Sequence, residues 1–93
     1  MKQKLKSGYM IQRIAEENIL IAGQADNINY SRMLVLNDSA AELVQILIDG
    51  EATEDDLVEY LTGNYTVDHE LAQKDVKALL DELEQQQILE QVD

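Results

Sequence analysis

The 93-residue chain contains no cysteine, no proline, no tryptophan and no phenylalanine, and has one histidine and four glycines. Without cysteine there is no disulfide framework, no thiolate nucleophile and no thiolate zinc site. Without proline, no strand edge can be blunted by that residue. Basic side chains are scarce: 7 against 19 acidic, a net charge of −12. This excludes sequence-independent nucleic-acid binding, which needs Lys and Arg to displace phosphate counterions. An anionic membrane surface would repel such a chain. No apolar run approaches the roughly 18–20 residues of a membrane span, and no signal-peptide core is visible, so the expected location is the cytoplasm. The 45% of hydrophobic residues suits a globular domain and is too high for a disordered acidic tail. Residues 1–93 are read as one small domain with a single core and little room for a deep catalytic pocket.

The acid is unevenly spread. Residues 1–36 carry five bases (Lys2, Lys4, Lys6, Arg13, Arg32) and three acids (Glu16, Glu17, Asp26), a net of +2; residues 37–93 carry Lys74 and Lys77 against 16 acids, a net of −14. Either the two parts meet different neighbours, or helices simply tolerate Glu and Asp on wet faces better than strands do.

Periodicity divides the chain at the same place. Residues 9–14 are rich in aromatic and branched side chains, residues 15–18 form a polar break, and Ile19-Leu20-Ile21-Ala22 is an apolar run closed by Gly23. Together these predict a β-hairpin. Residues 24–31 are polar, with Asp26-Asn27 as turn formers, and Arg32-Met33-Leu34-Val35-Leu36 is a third strand, apolar on both faces. Beyond Leu36 the pattern becomes helical. Asn37, Asp38 and Ser39 are candidate N-caps, with Ser39 and Glu42 at capping-box spacing. Ala40, Leu43, Val44 and Leu47 form one stripe, and Asp49-Gly50 ends the helix, with Gly50 expected in the left-handed conformation. Thr53 and Asp56 box the second helix, whose inward residues are Leu57, Val58 and Leu61 and which ends at Gly63-Asn64. Asp68 caps a third helix with the stripe Leu71, Val76, Leu79, Leu80 and Leu83, running to about Gln87. Ile88, Leu89 and Val92 form an apolar tail able to fold back on the core. The expected class is α+β and winged-helix-like: a three-stranded antiparallel sheet followed by three helices (β-β-β-α-α-α), each layer covering the other. Residues 1–6 are expected to be a mobile end.

Catalytic chemistry is not legible. His69 stands alone in the first turn of the third helix, there is no metal-ligand spacing, and no Ser or Thr has a recognisable base. Glu54-Asp55-Asp56 is explained by the helix dipole and the capping box. No enzyme activity, cofactor or metal is expected. Three helices beside a small sheet also suit a winged-helix regulatory or dimerisation domain acting through protein contacts, but the third helix is too acidic for DNA. The remaining feature is the sheet edge. If residues 32–36 form an edge, an extended peptide can add to it by backbone pairing. The alternatives are a core strand covered by the tail or by a second copy of the chain, giving a homodimer.

The series Leu34-Val35-Leu36-Asn37, Ala40-Ala41, Leu47-Ile48-Asp49-Gly50, Thr53-Glu54-Asp55-Asp56-Leu57, Tyr65-Thr66-Val67-Asp68, Asp75-Val76, Leu79-Leu80, Leu83 and Ile88-Leu89 resembles the PqqD-like family over roughly residues 8–90. The resemblance implies a winged-helix-like peptide chaperone for ribosomally made, post-translationally modified peptides. Such a protein holds the leader of a precursor peptide and presents the core to a tailoring enzyme, often a radical S-adenosylmethionine protein. It implies a leader strand beside Arg32, Met33, Leu34, Val35 and Leu36, against a helical wall drawn from Val76, Lys77, Leu79, Leu80 and Leu83. Gln87 stands where the family often has glycine, so the third helix is expected to run on. A mildly basic sheet facing an acidic helix suits a leader of mixed charge with apolar anchors. Glu54, Asp55 and Asp56 are candidates for docking a basic patch on the enzyme.

Overall fold

The computed structural model describes the backbone of residues 2–24 and 27–92, and the side chains of these residues except 23–32. The elements run β1 (Lys2–Leu5), β2 (Tyr9–Ile14), β3 (Glu17–Gln24), β4 (Asn27–Leu36), α1 (Asp38–Asp49), β5 (Ala52–Thr53), α2 (Glu54–Asn64), α3 (His69–Gln85) and β6 (Leu89–Val92). The expected meander of three strands followed by three helices is present as β2-β3-β4 and α1-α2-α3. Around it lies a second three-stranded sheet in the order β5-β1-β6.

That second sheet corrects the reading of the first residues as a mobile end. Lys2–Leu5 is the central strand, antiparallel to β5 through Lys2–Thr53 and Gln3–Ala52, and to β6 through all four of its residues. Backbone pairing on both sides and burial of Leu5 hold it. The apolar tail does fold back, as β6, and the Lys6 N–H donates to the Ile88 carbonyl at 2.9 Å.

In the meander, β2 and β3 are joined by only two residues, Ala15 and Glu16, both at positive φ (52° and 68°). This is the geometry of a tight hairpin turn that matches strand twist, so Glu17 and Asn18 belong to β3 rather than to the polar break. The third strand starts earlier than its apolar stretch, at Asn27. Its register jumps from Ile21–Met33 to Ala22–Asn29, leaving residues 30–32 as a bulge. Asp26 lies outside the described residues. Cross-strand rows place Ile11, Leu20 and Leu34 on the face toward the helices, and Met10, Ile21, Met33, Ile19 and Val35 on the other.

The helix caps are local and mostly as expected. The Thr53 hydroxyl accepts from the Asp56 N–H at 3.0 Å while the Asp56 carboxylate accepts from the Thr53 N–H at 2.9 Å. Asp68 accepts from the Leu71 N–H at 2.7 Å. At α1 the cap is Asn37, accepting from the Ala40 N–H at 2.8 Å, and the Ser39 hydroxyl donates to the Asn37 side chain instead of forming a box with Glu42. Gly50 is extended (φ −172°), not left-handed. α3 does not run on: Gln87 adopts φ +62°, its N–H donates to the Glu84 carbonyl at 2.9 Å, and the Ile88 N–H donates to the Leu83 carbonyl at 3.1 Å. That bond pattern, with Ile88 and Leu83 both buried, is a Schellman stop in which glutamine holds the position that suits glycine.

The core gathers Leu20 and Leu36 from the meander, Leu43, Val44 and Leu47 from α1, Leu57, Val58 and Leu61 from α2, Ala72, Val76, Leu80 and Leu83 from α3, and Leu5, Ala52 and Ile88 around β1. Leu71, expected in the α3 stripe, is 48% exposed, and Ala72 takes its place inside.

Candidate functional site

Among the described strands, β4 pairs on one side only, with β3. Its other edge is open. Side chains alternate along it: Leu34 is half-buried and Leu36 buried, while Met33 is 43% and Val35 62% exposed. Unpaired backbone groups beside exposed β-branched and apolar side chains are what a sheet offers to an incoming strand.

Across from this edge stands α3, with a groove of about 410 Å³ between them. Leu34, Val35 and Leu36 form one wall, and Asp75, Ala78, Leu79 and Glu82 of α3 the other; Asn37, Ser39, Ala40 and Leu43 at and within the start of α1, and Leu61 of α2, complete the lining. The volume is within the roughly 300–1,000 Å³ usual for ligand clefts. Helical geometry explains which α3 residues face it. Val76, Leu80 and Leu83 recur at i, i+4 and i+7 and are turned into the core, with 0%, 6% and 0% exposure. The stripe one position back, Asp75, Ala78, Leu79 and Glu82, is rotated by about a quarter turn and faces the groove. Of the expected helical wall, Leu79 alone lines it. Lys77 is exposed and is not part of the lining. On the strand side Leu34, Val35 and Leu36 line the groove and Met33 does not; the backbone of Arg32 lies in β4, and its side chain is outside the described set. Sequence reasoning missed Asp75, Ala78 and Glu82. The available signal was a small apolar residue on a wet helix face, set between two acids.

The groove continues past the start of α1 into a cavity of about 370 Å³ lined by Asn37, Leu61, Tyr65, Val67 and Asp75 among others. Here Glu42 joins the layers: its two carboxylate oxygens accept from the hydroxyls of Tyr60 and Tyr65. Those two donors hold the Glu42 carboxyl below the usual glutamate range. The same bond to Glu42 pushes the Tyr65 phenol up to about 12 and raises that of Tyr60. Tyr65 is the residue that ends α2, so this bond sets the turn leading into α3. Nearby, Arg13, Asn18 and Asp38 tie β2, β3 and α1: the Arg13 guanidinium donates to Asn18 at 3.1 Å and lies 3.5 Å from Asp38, and the Asn18 amide donates to Asp38 at 2.9 Å.

Glu54, Asp55 and Asp56 are exposed in the first turn of α2. The Thr53 N–H and hydroxyl hold the Asp56 carboxyl below its ordinary range, so Asp56 serves the helix cap. His69 is exposed at the start of α3. Among the described residues no cluster of His, Cys, Asp or Glu is arranged to hold a metal ion, and no helix is long and apolar enough to cross a membrane.

The family model described as coenzyme PQQ synthesis protein D (PqqD) matches residues 12–89. No curated protein matches the chain significantly. Among solved structures, a lasso peptide synthetase B1 complexed with the leader peptide is similar at 26% identity and a TM-score of 0.71, over 96% of this chain and 98% of that one. TbiB1 in complex with the TbiA(beta) leader peptide is similar at 19% identity and 0.72, over 97% and 98%. The PqqD truncation of Methylobacterium extorquens PqqCD, described as a functional, stand-alone recognition element for ribosomally synthesized and post-translationally modified peptides, is similar at 22% identity and 0.74, over 97% and 89%.

Proposed function

The chain belongs to the PqqD family, and from that premise we propose that it is a non-catalytic peptide-binding protein. It takes the leader of a ribosomally made precursor peptide as an added strand on β4 and presents the rest of the peptide to a tailoring enzyme. The observation that carries this reading is the open β4 edge, with Val35 62% exposed, facing a groove walled by α3. Backbone pairing along residues 32–36 supplies affinity, and side chains of the added strand enter the space beside Ala78 and Leu79. Two of the similar structures are complexes with leader peptides, which supports the same occupant here.

The mechanism needs no bond chemistry from this chain. A leader held at the edge keeps the core of its own peptide tethered and mobile, and the enzyme meets that core at high effective concentration. A radical S-adenosylmethionine protein is one fitting class of partner, and the cytoplasm is a fitting location. Glu54 and Asp55, exposed and away from the groove lining, are the residues for an enzyme's basic patch; Asp56 is committed to the cap. Reversing the charge of Glu54 and Asp55 should weaken enzyme association and leave leader binding intact. Unchanged enzyme association would remove them from that role.

The test of the main reading is titration with a precursor-like peptide encoded beside this chain, followed by amide resonances. Residues 32–36 and the groove side of α3 should shift. If neither moves, the peptide-carrier reading is wrong. A proline scan through Met33, Leu34 and Val35 adds a second check. Neighbouring N–H groups in a strand point to opposite edges, so proline at alternate positions should abolish peptide binding while leaving the fold. Equal losses from proline and alanine would argue against strand addition. The open edge can also pair with a second copy of the chain, and such a dimer would compete with the peptide.

A further inference from the structure

The groove has a charge pattern that reaches beyond the general reading. Its α3 wall is the stripe Asp75, Ala78, Leu79, Glu82: an acid at each end and small or apolar side chains between. Both acids are exposed, and among the described side chains lining the groove there is no cation. Lys74 and Lys77, the only bases after Leu36, sit on α3 outside the lining. Arg13, the described base of the β2-β3-β4 sheet, is engaged with Asn18 and Asp38. Among the described side chains, an added strand therefore meets carboxylates and no cation on its helix-facing side.

The spacing fits an extended peptide. Asp75 and Glu82 are seven residues apart, about 10 Å along the helix at 1.5 Å per residue. Side chains on one face of a strand recur about every 7 Å. A residue facing Ala78 and Leu79 thus has same-face neighbours two positions before and two after it, about 13 Å apart, from which flexible lysine or arginine stems can converge on the two carboxylates. We infer that this groove selects leaders with the helix-facing pattern basic–x–apolar–x–basic: Lys or Arg at each end, and a branched aliphatic or aromatic side chain at the centre. The inference rests on the strand-addition reading above and specifies which leaders that site accepts. The exposed face of the added strand is free to carry other charges.

The discriminating experiment is selection of random peptides displayed against the whole chain and, in parallel, against the variant Asp75→Lys/Glu82→Lys. The natural chain should enrich peptides with basic residues flanking an apolar one at that spacing, and the variant should enrich acidic flanks. For a peptide selected on the natural chain, Asp75→Asn and Glu82→Gln should each weaken binding by about two- to fivefold, the range for exposed ion pairs, with the loss shrinking as salt is raised. If both chains enrich the same flanks while the bound peptides shift the amides of residues 32–36, charge selection is overturned and strand addition stands. If the selected peptides leave those amides unmoved, or if no peptide is enriched, strand addition fails and this inference with it. Should the double-lysine variant fail to fold, the two neutral single variants decide: losses that do not vary with salt would overturn the inference.

Discussion

The two sheets solve the same problem in opposite ways. The β2-β3-β4 meander is contiguous in sequence, and its strands reach 10 residues. It ends on an open edge with Met33 and Val35 exposed. The β5-β1-β6 sheet is assembled from strands of two to four residues drawn from the start, middle and end of the chain. Its edges are short, and β6 carries Glu90 and Gln91, as blunted edges do. One sheet has short, polar edges and the other a long edge with exposed apolar side chains. The contrast shows how strand length and edge side chains set what each sheet offers to a further strand.

The comparison breaks most visibly at β1. Deleting residues 2–5 leaves β5 and β6 without the strand between them and removes Leu5 from the core. Cooperative unfolding in urea, followed by circular dichroism, should disappear. A truncated chain that still unfolds cooperatively near the original midpoint would restore the mobile-end reading. Next in size is a matched pair of alanine substitutions. Leu5→Ala in the β5-β1-β6 sheet should cost about 2–4 kcal/mol, as buried Leu truncations do, whereas Val35→Ala on the open edge should stay within about 0.5 kcal/mol while weakening peptide binding. Similar stability losses would erase the distinction.

Smaller gains should come from the turns that lead into each sheet. Gln87→Gly before β6, and the pair Ala15→Asn/Glu16→Gly between β2 and β3, relieve positive φ at residues with a Cβ. Each change should raise stability by about 0.5–1 kcal/mol; a loss in either would mean that the side chain removed makes a contact that outweighs its backbone strain. The smallest effect is a pH dependence. The Glu42 carboxyl is lowered on folding, so its contribution is complete above the ordinary glutamate value and is lost as pH falls through the lowered one. The Tyr65 phenol is raised from 10.0 to about 12, so its contribution is complete below pH 10.0 and is lost as pH rises toward 12. Tyr65→Phe and Glu42→Gln should flatten both limbs of the stability profile relative to the natural chain, and a profile unchanged by either would leave the hydroxyl–carboxylate bonds without a role in stability.

What could be read from sequence follows the range of the interactions. The Thr53–Asp56 box and the Asp68 cap depend on residues three apart, and so does the core stripe of α1; all were legible. The return of the apolar tail was legible too, but the pairing of β1 with β5 and β6 was not, because ladders between residues about 50 and 90 positions apart are made by backbone groups that every residue carries. Gln87 misled for a related reason: a Schellman stop is a matter of backbone bonds, and the buried pair Leu83–Ile88 enforces it without glycine. The groove was half legible. Apolar residues in strand order pointed to β4, but the assignment of α3 turned on one residue of helical phase. The apolar stripe marks the core, and the groove is read from the residues beside it. Glu42 looked like a capping-box partner by spacing, and only the arrival of Tyr60 of α2 and of Tyr65 at its C-cap gives it a different task.

In the central ladder, Lys2 stands opposite Val92. The chain thus leaves its fold within one strand spacing of where it entered, about 5 Å. A domain with that property can be spliced into a surface loop of a host protein without stretching it. It can also be circularly permuted by joining those two ends through a few residues and reopening the chain at Ala15–Glu16. A larger protein can carry such a unit as an insertion as readily as it can bind it as a separate chain.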